Sequence, residues 1–227
     1  MGQKRKFPLT TVLFDFDGTL VDTTELIHQS MRHATSAVLG RDYPREKLLN
    51  GVGTPLQEQM KAFDPERVDE LLESYRSHQE AHHDELIKEF PGVEAALYRL
   101  QEAGLDLGVV TSKRRASVDQ ALETFPGLGR VVDRFVTMED TTEHKPHPEP
   151  LLRGLQMLDA TREESVYVGD APYDVAAAKA AGLASIAVSW GAFPQESLRE
   201  AGPDHLSEDI GGVVDTLLHL AGQSQTT

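Results

Sequence analysis

The chain of 227 residues contains no cysteine and carries a formal net charge of −15 at pH 7. We expect no nucleic acid and no membrane among its partners, because nucleic acids and anionic membrane surfaces repel so acidic a protein. The lack of cysteine excludes disulfide bonds, thiolate nucleophiles and cysteine-based zinc sites.

Both ends of the chain are polar. A basic stretch, Lys4 to Lys6, precedes an apolar run that Asp15 interrupts, and no small-residue cleavage site follows. We therefore expect a tail there rather than a signal peptide, and a cytoplasmic location for the protein. No run approaches the ~18 apolar residues of a membrane-spanning helix. The polar residues from Gly222 onward are expected to be unstructured.

The first predicted element is a buried strand that ends in a loop with two carboxylates. Val12 to Phe14 are followed by Asp15, Phe16, Asp17, Gly18 and Thr19. In an open parallel sheet, ligands bind at the carboxyl ends of the strands. Two acids beside a glycine suit a cation that faces a phosphate.

The same loop pattern also occurs in two other kinds of structure. A calcium loop of EF-hand type is excluded, because Thr19 and Leu26 stand at its ligand positions and Leu20 at its glycine position. A local Asx turn that caps the next helix is the remaining alternative.

Residues 21–88 carry helical patterns and no strand pattern. One helix is predicted from Asp22 to Gly40 and another from Asp64 onward. Asp15 and Leu105, where the next strand begins, are 90 residues apart, whereas a βαβ unit needs only ~30 or a few more. We predict a small all-α cap domain at 21–88, inserted after the first strand of a core formed by 1–20 and 89–227. The cap is expected to be a lid over the site, and a bystander domain is the alternative.

The rest of the chain alternates between strand and helix patterns. Four apolar runs predict strands, and helices are predicted between them; the runs are Leu105 to Val110, Phe135 to Met138, Ser165 to Val168 and Ala184 to Ser189. Such alternation is typical of an α/β fold, here a Rossmann-like parallel sheet with helices on both faces.

Three further strand ends carry the polar groups that a phosphate site needs. Thr111 and Ser112 offer hydroxyls at a helix start, and Lys145 offers a cation in a proline-stiffened loop. Asp170 follows the strand at 165–168, and Asp174 lies four residues later. A second acidic pair at a strand end indicates a divalent cation site with oxygen ligands.

Taken in order, these four motifs resemble those of the haloacid dehalogenase superfamily, in the phosphatase branch with a helical cap after the first motif. The resemblance implies that Asp15 is the nucleophile and Asp17 the general acid and base. It implies that Thr111, Ser112 and Lys145 bind the phosphoryl oxygens. It further implies that Mg²⁺ is held by Asp15, the backbone carbonyl of Asp17 and Asp170, with Asp174 orienting the metal shell from behind.

Within that superfamily, the strings around Lys113 and Lys145 look most like phosphoglycolate phosphatase and related pyrophosphatase enzymes. The implied partner is a small phosphorylated metabolite, and the expected state is a monomer or a homodimer. A sugar phosphomutase of β-phosphoglucomutase type is the alternative, since Thr19 favours a phosphatase only weakly. A receiver-like signalling module fits less well, because its phosphorylated Asp lies on a middle strand.

Several further residues have two interpretations each. Lys113 could reach a second anionic group on the substrate or lie on the surface. Gly53 and Thr54 could belong to a substrate loop or to a flexible link between cap helices. The group of His78, His82 and His83 has a spacing that could hold a transition metal, but a solvated helix face is the favoured interpretation.

Overall fold

The computed structural model describes residues 8–222. The predicted amino-terminal tail and residues 223–227 of the polar carboxyl-terminal segment lie outside this range. Six parallel strands form the main sheet in the order β5-β4-β1-β6-β7-β8. Their bounds are β1 Thr11–Phe14, β4 Asp106–Val110, β5 Phe135–Val136, β6 Ser165–Gly169, β7 Ala184–Val188 and β8 His205–Ser207. The α/β fold class predicted from the alternating pattern is confirmed.

Both faces of the sheet are covered by helices. The covering helices are α5 Val93–Glu102, α6 Arg115–Thr124, α7 Pro126–Val131, α8 Glu149–Met157, α9 Pro172–Ala181, α10 Gln195–Ala201 and α11 Ile210–Leu220. Along β1, Val12 and Phe14 pack in the cluster formed with α5, α6, α7 and α11, whereas Leu13 packs in the cluster formed with α8 and α9. The strand is apolar throughout because successive side chains point to opposite, equally buried faces.

Between β1 and α5 the chain forms four helices, which we call the helical insert. They are α1 Thr24–Leu39, α2 Arg45–Leu49, α3 Leu56–Phe63 and α4 Val68–Leu86. The insert has a hydrophobic cluster of its own, to which Met31, Met60 and Leu71 contribute fully buried side chains.

The insert is entered and left through a short antiparallel ribbon. β2 Val21–Asp22 pairs with β3 Lys88–Glu89, with Val21 opposite Glu89 and Asp22 opposite Lys88. The expectation that residues 21–88 contain no strand is therefore wrong at both of its ends. Two-residue strands carry too little alternation to be detected as a pattern.

Two other predictions along the sheet differ from the structure. The strand expected at Phe135 to Met138 ends at Val136, since Met138–Asp140 forms a 3-10 turn. The amide and hydroxyl of Thr137 both donate to Asp140 Oδ2, at 2.7 and 2.8 Å, and this cap stops the strand. The edge strand β8 was not predicted, because its side chains are partly exposed and include His205. No helix within residues 8–222 is long and apolar enough to span a membrane.

Candidate active site

The polar strand ends meet at one edge of the sheet. Asp15 follows β1, Thr111 follows β4 and Asp170 follows β6, and these three strands are neighbours. Because the strands are parallel, their carboxyl ends open on the same side. Lys145 comes from the loop before α8, and Asp174 comes from the first turn of α9.

A buried lysine joins two of the carboxylates. Lys145 Nζ lies 2.8 Å from Asp15 Oδ1 and 2.7 Å from Asp174 Oδ1, and it donates to the Tyr167 hydroxyl at 2.9 Å. The Tyr167 hydroxyl in turn donates to the Val110 carbonyl at 2.9 Å. An ammonium has three protons, so Lys145 is fully engaged. Its position is fixed by β4, β6 and α9 together.

Tyr167 is a site residue that the sequence did not single out. It lies in the middle of β6, where the apolar run explained it as a core residue. A tyrosine on a wholly buried strand needs a hydrogen-bond partner for its hydroxyl. This requirement could have identified Tyr167 as a residue of the site.

Burial dominates the electrostatics of this cluster. It raises the pKa of Asp15 to about 7 against the lowering effect of Lys145, and Asp174 adds to the rise. Burial, together with Asp174 and Asp15, also holds the pKa of Asp170 well above its usual range. For Lys145, burial lowers the pKa, but Asp15 and Asp174 outweigh burial and the pKa lies above its ordinary value.

Three carboxylates at this edge fit a divalent cation. Oxygens of Asp15, Asp170 and Asp174 lie within 4.8 Å of one another, and hard cations such as Mg²⁺ prefer carboxylate oxygens. Asp174 is already held at both oxygens, by Lys145 and by the Ala171 amide at 3.0 Å. The predicted division, in which Asp15 and Asp170 bind the cation and Asp174 lies behind them, stays a prediction.

The surroundings of Asp170 leave no room for other side chains. The Ala192 amide donates to Asp170 Oδ2 at 2.9 Å, which leaves Oδ1 as the oxygen that can bind a cation. A methyl group built on Gly18 or Gly191 would lie 2.3 or 2.1 Å from Asp170 Oδ2. Gly18 also has a φ of +75°, a conformation that glycine adopts without strain.

Asp17 is held in a different way. Its Oδ1 accepts from Lys113 Nζ at 2.7 Å and from the Thr23 hydroxyl at 2.8 Å. Lys113 is therefore not a surface residue, since only 7% of its side chain is exposed. The sequence suggested a second anion on the substrate as its partner and did not foresee Asp17. The two residues are 96 positions apart, and no local pattern links them.

Ser112 differs from its predicted surroundings. Its hydroxyl, which was expected to bind a phosphoryl oxygen, donates to the Gly53 carbonyl of the helical insert at 2.8 Å. The Thr111 hydroxyl accepts from the Lys113 amide at 3.1 Å. The Tyr173 hydroxyl donates to the Asn50 carbonyl at 3.3 Å.

These contacts place the segment 50–54 against the sheet edge. Thr54 donates its hydroxyl to the Gly51 carbonyl at 2.7 Å and so closes a turn. A cavity of about 850 Å³ lies between the insert and the sheet edge. Its lining includes Gly53 and Thr54 together with Asp15, Asp17, Thr111, Ser112, Lys113 and Lys145. All the candidate catalytic and phosphate-binding residues thus share one cavity.

The histidines of α4 lie elsewhere. The His78 ring stacks between His33 and His82, at centroid distances of 4.7 and 4.4 Å, and its Nδ1 lies 3.1 Å from the Ser30 hydroxyl. His83 is buried, so a solvated face was the wrong interpretation for that residue. The aspartate cluster is the only group of potential metal ligands within 4.8 Å among residues 8–222.

Comparison with known proteins identifies clear relatives. A family model described as haloacid dehalogenase-like hydrolase matches residues 12–188, from β1 to β7. The pyrophosphatase PpaX of Anoxybacillus flavithermus is 38% identical over 209 residues, which cover 92% of this chain and 97% of that protein. The pyrophosphatase PpaX of Bacillus cereus is 37% identical over 209 residues, covering 92% and 96%.

The fold also matches a solved structure. A crystal structure described as that of a predicted phosphatase from Clostridium acetobutylicum has a TM-score of 0.84 and 28% identity. The match covers 93% of this chain and 99% of that one. The similarity therefore extends over the helical insert as well as the sheet.

Proposed function

Because the chain belongs to the haloacid dehalogenase-like hydrolase family, we propose that it is a Mg²⁺-dependent phosphatase that acts through an aspartyl-phosphate intermediate. Family membership confirms the resemblance drawn from the four motifs. The observation that carries the proposal is the buried pair of Asp15 and Lys145, 2.8 Å apart beside Asp170 and open to the cavity.

The proposed first half-reaction uses three residues of the chain. An Asp15 oxygen attacks phosphorus, the new oxygen–phosphorus bond forms, and the bond to the leaving oxygen breaks. Asp17 gives its proton to that oxygen. Lys145 already stands at the attacking carboxylate, where its ammonium offsets charge on the transferring phosphoryl oxygens.

In the second half-reaction a water oxygen attacks the phosphorus of phosphorylated Asp15 while Asp17 takes a proton from that water. The bond between phosphorus and the Asp15 oxygen breaks, which releases inorganic phosphate and restores the carboxylate. Thr111 and Ser112 belong to the phosphate-binding part of the proposal, and Ser112 must release Gly53 to take part. Mg²⁺ would be held by Asp15, the Asp17 carbonyl and Asp170. When bound, it supplies positive charge that offsets repulsion between the carboxylates and the phosphate.

The proposed substrate is pyrophosphate or a small phosphorylated acid such as phosphoglycolate. Relatives named pyrophosphatase that are matched over nearly their full lengths support this class. A substrate of that size fits a cavity of about 850 Å³. The proposal includes a core of 1–20 and 89–227, a cap of 21–88, a monomer or homodimer, and a cytoplasmic location.

The test is an assay of phosphate release from a panel of pyrophosphate, phosphoglycolate and hexose phosphates, with Mg²⁺ and with a chelator. We expect release that needs Mg²⁺, and its loss in Asp15→Asn and Asp17→Asn. The matched control is Asp106→Asn, which makes the same change at the exposed amino end of β4.

Three results would count against the proposal. Full activity of Asp15→Asn would remove the covalent mechanism. An isomerised sugar phosphate without phosphate release would favour the mutase alternative. A stable, stoichiometric phosphorylation without turnover would favour a signalling module.

A further inference from the structure

Lys113 is the second ammonium at the reaction centre. Lys145 Nζ has three partners, Asp15, Asp174 and Tyr167, which match its three protons. Lys113 Nζ makes one hydrogen bond within the described part of the chain, to Asp17 Oδ1 at 2.7 Å. It also lines the cavity. Lys113 therefore has donor capacity to spare for a ligand, whereas Lys145 can donate to one only by giving up one of its three partners.

The backbone of Lys113 is held at both of its polar atoms. Its amide donates to the Thr111 hydroxyl at 3.1 Å, and its carbonyl accepts from the Met138 amide at 3.0 Å. The backbone of Lys113 is therefore fixed beside the carboxylates, and only a change of its side-chain rotamer would carry the ammonium to another partner.

Charge balance explains why a second cation is needed there. Asp15, Asp17, Asp170 and Asp174 supply four carboxyl groups, in a chain of net charge −15, to a site with two ammonium groups. With the proposed Mg²⁺ bound, these cations match four carboxylates and leave no excess of positive charge for a further anion. A substrate whose leaving part is also anionic brings further negative charge next to Asp17. Like charges in a partly buried site repel strongly, so that substrate needs a cation on its distal side.

We propose that Lys113 selects substrates with a second anionic group, by moving from Asp17 to that group when the substrate binds. In the free protein the ion pair with Asp17 holds Lys113 in place. A phosphoanhydride or a phosphorylated carboxylic acid draws the ammonium away, and Asp17 is then left to the leaving oxygen. A substrate with a neutral leaving part leaves Lys113 on Asp17. The inference rests on the proposed function and assigns its substrate selectivity to one residue.

The test compares two esters that differ in one group. Phosphoglycolate carries a carboxylate where 2-hydroxyethyl phosphate carries a neutral hydroxymethyl group. Pyrophosphate and methyl phosphate form a second pair, so the two arms separate a carboxylate from a phosphate as the second anion. For each pair, kcat/KM is measured with Mg²⁺ in the wild type and in Lys113→Gln. Glutamine can still donate to Asp17 but carries no charge, which protects the fold.

We expect the preference for the member of each pair that carries the second anionic group to fall by about tenfold in Lys113→Gln, since hydrogen bonds to charged groups contribute that much. The loss should lie mainly in KM of the substrate with the second anion. Lys113→Arg should retain most of the preference. The control is Arg115→Gln, the same loss of charge two residues on, at a half-exposed side chain 3.0 Å from Asp119 that does not line the cavity. Its effect on the ratio should stay below about twofold.

A binding measurement keeps this test independent of turnover. The Asp15→Asn variant cannot form the phosphoenzyme. In this variant the Kd of each of the four compounds is measured calorimetrically, with and without the second substitution Lys113→Gln. The Kd ratio should shift by the same factor as kcat/KM. An unchanged ratio in Lys113→Gln, or an equal change in Arg115→Gln, would overturn the role of Lys113. A wild type that binds these esters with the expected selectivity but releases no phosphate would overturn the proposed phosphatase and leave the selectivity of Lys113 standing.

Discussion

At the scale of single residues, Asp15 is a carboxyl group whose proton and whose cation compete for the same oxygens. Burial raises its pKa from the usual 3.8 to about 7, so the folded protein binds this proton more tightly than the unfolded chain does. Without metal, the contribution of Asp15 to the free energy of unfolding must therefore fall as pH rises from about 4 to about 7. Asp170, whose pKa is also raised, acts in the same direction.

We expect the melting temperature of the metal-free protein to decrease with pH across this window more steeply than that of Asp15→Asn. The difference between the two proteins isolates the Asp15 contribution from that of other titrating groups. With Mg²⁺ the wild type should lose less stability, since a cation takes over the neutralising role of the proton. Thermal melts at pH 5, 6 and 7, in chelator and in Mg²⁺, measure both effects. Parallel curves for wild type and Asp15→Asn in chelator would contradict the assignment.

Residues of the site could be predicted from sequence where they follow a strand. Asp15, Thr111 and Asp170 follow apolar runs, and parallel strands bring their ends together. The contact of Lys113 with Asp17 could not be predicted in this way. This hydrogen bond joins two loops that are 96 residues apart in the chain. It depends on the rotamer of the Lys113 side chain, which no sequence pattern specifies.

At the scale of elements, the segment 50–54 joins the helical insert to the sheet edge. The Ser112 hydroxyl donates to the Gly53 carbonyl, and the Tyr173 hydroxyl donates to the Asn50 carbonyl. Loops of this kind close over a site when they dock. Apolar contacts accompany these hydrogen bonds, since Phe193 packs against the hydrophobic cluster of the insert and Leu26 of α1 packs in the cluster of the sheet.

We expect Ser112→Ala to weaken this docking. Loss of one hydrogen bond, about 1 kcal/mol, should raise hydrogen exchange in residues 50–54 severalfold and lower kcat/KM by a similar factor. Ser117→Ala on α6, where the serine also lines the cavity, is the matched control. Unchanged exchange in Ser112→Ala combined with weaker phosphate binding would instead assign Ser112 to the phosphate.

The elements themselves were predictable to different degrees. Five strands of the main sheet, and the helices α5, α6, α8 and α9 between them, follow from apolar periodicity, whereas the short helix α7 was not predicted. The ribbon of β2 and β3 and the edge strand β8 do not, because strands of two or three residues with exposed side chains leave no periodic signal.

At the scale of the whole molecule, the insert and the sheet have separate hydrophobic clusters. The carboxylates that could bind a cation, Asp15, Asp170 and Asp174, all belong to the sheet and α9. The stability of the insert and the affinity for a cation should therefore respond to different substitutions.

We expect Leu71→Ala, which empties a fully buried position in the insert, to cost about 2 to 5 kcal/mol of stability. The increase in melting temperature produced by Mg²⁺ should persist in this variant, because no carboxylate of the cluster lies in the insert. Thermal melts with and without Mg²⁺ measure both quantities. Leu97→Ala on α5, a fully buried leucine in the cluster beneath the sheet, is the comparison. Loss of the Mg²⁺ effect in Leu71→Ala would show that the two units are not separate in this respect.

The pairing of β2 with β3 has a consequence for how such molecules can diversify. Both crossings of the chain run side by side, with Val21 opposite Glu89. The chain therefore leaves the core and returns to it at adjacent positions. The length and architecture of the segment between β2 and β3 can change without a change in the register of β1 and β4. A foreign module grafted at these two positions should leave Asp15 and Thr111 at the ends of β1 and β4, while it replaces the part of the cavity lining that the insert supplies.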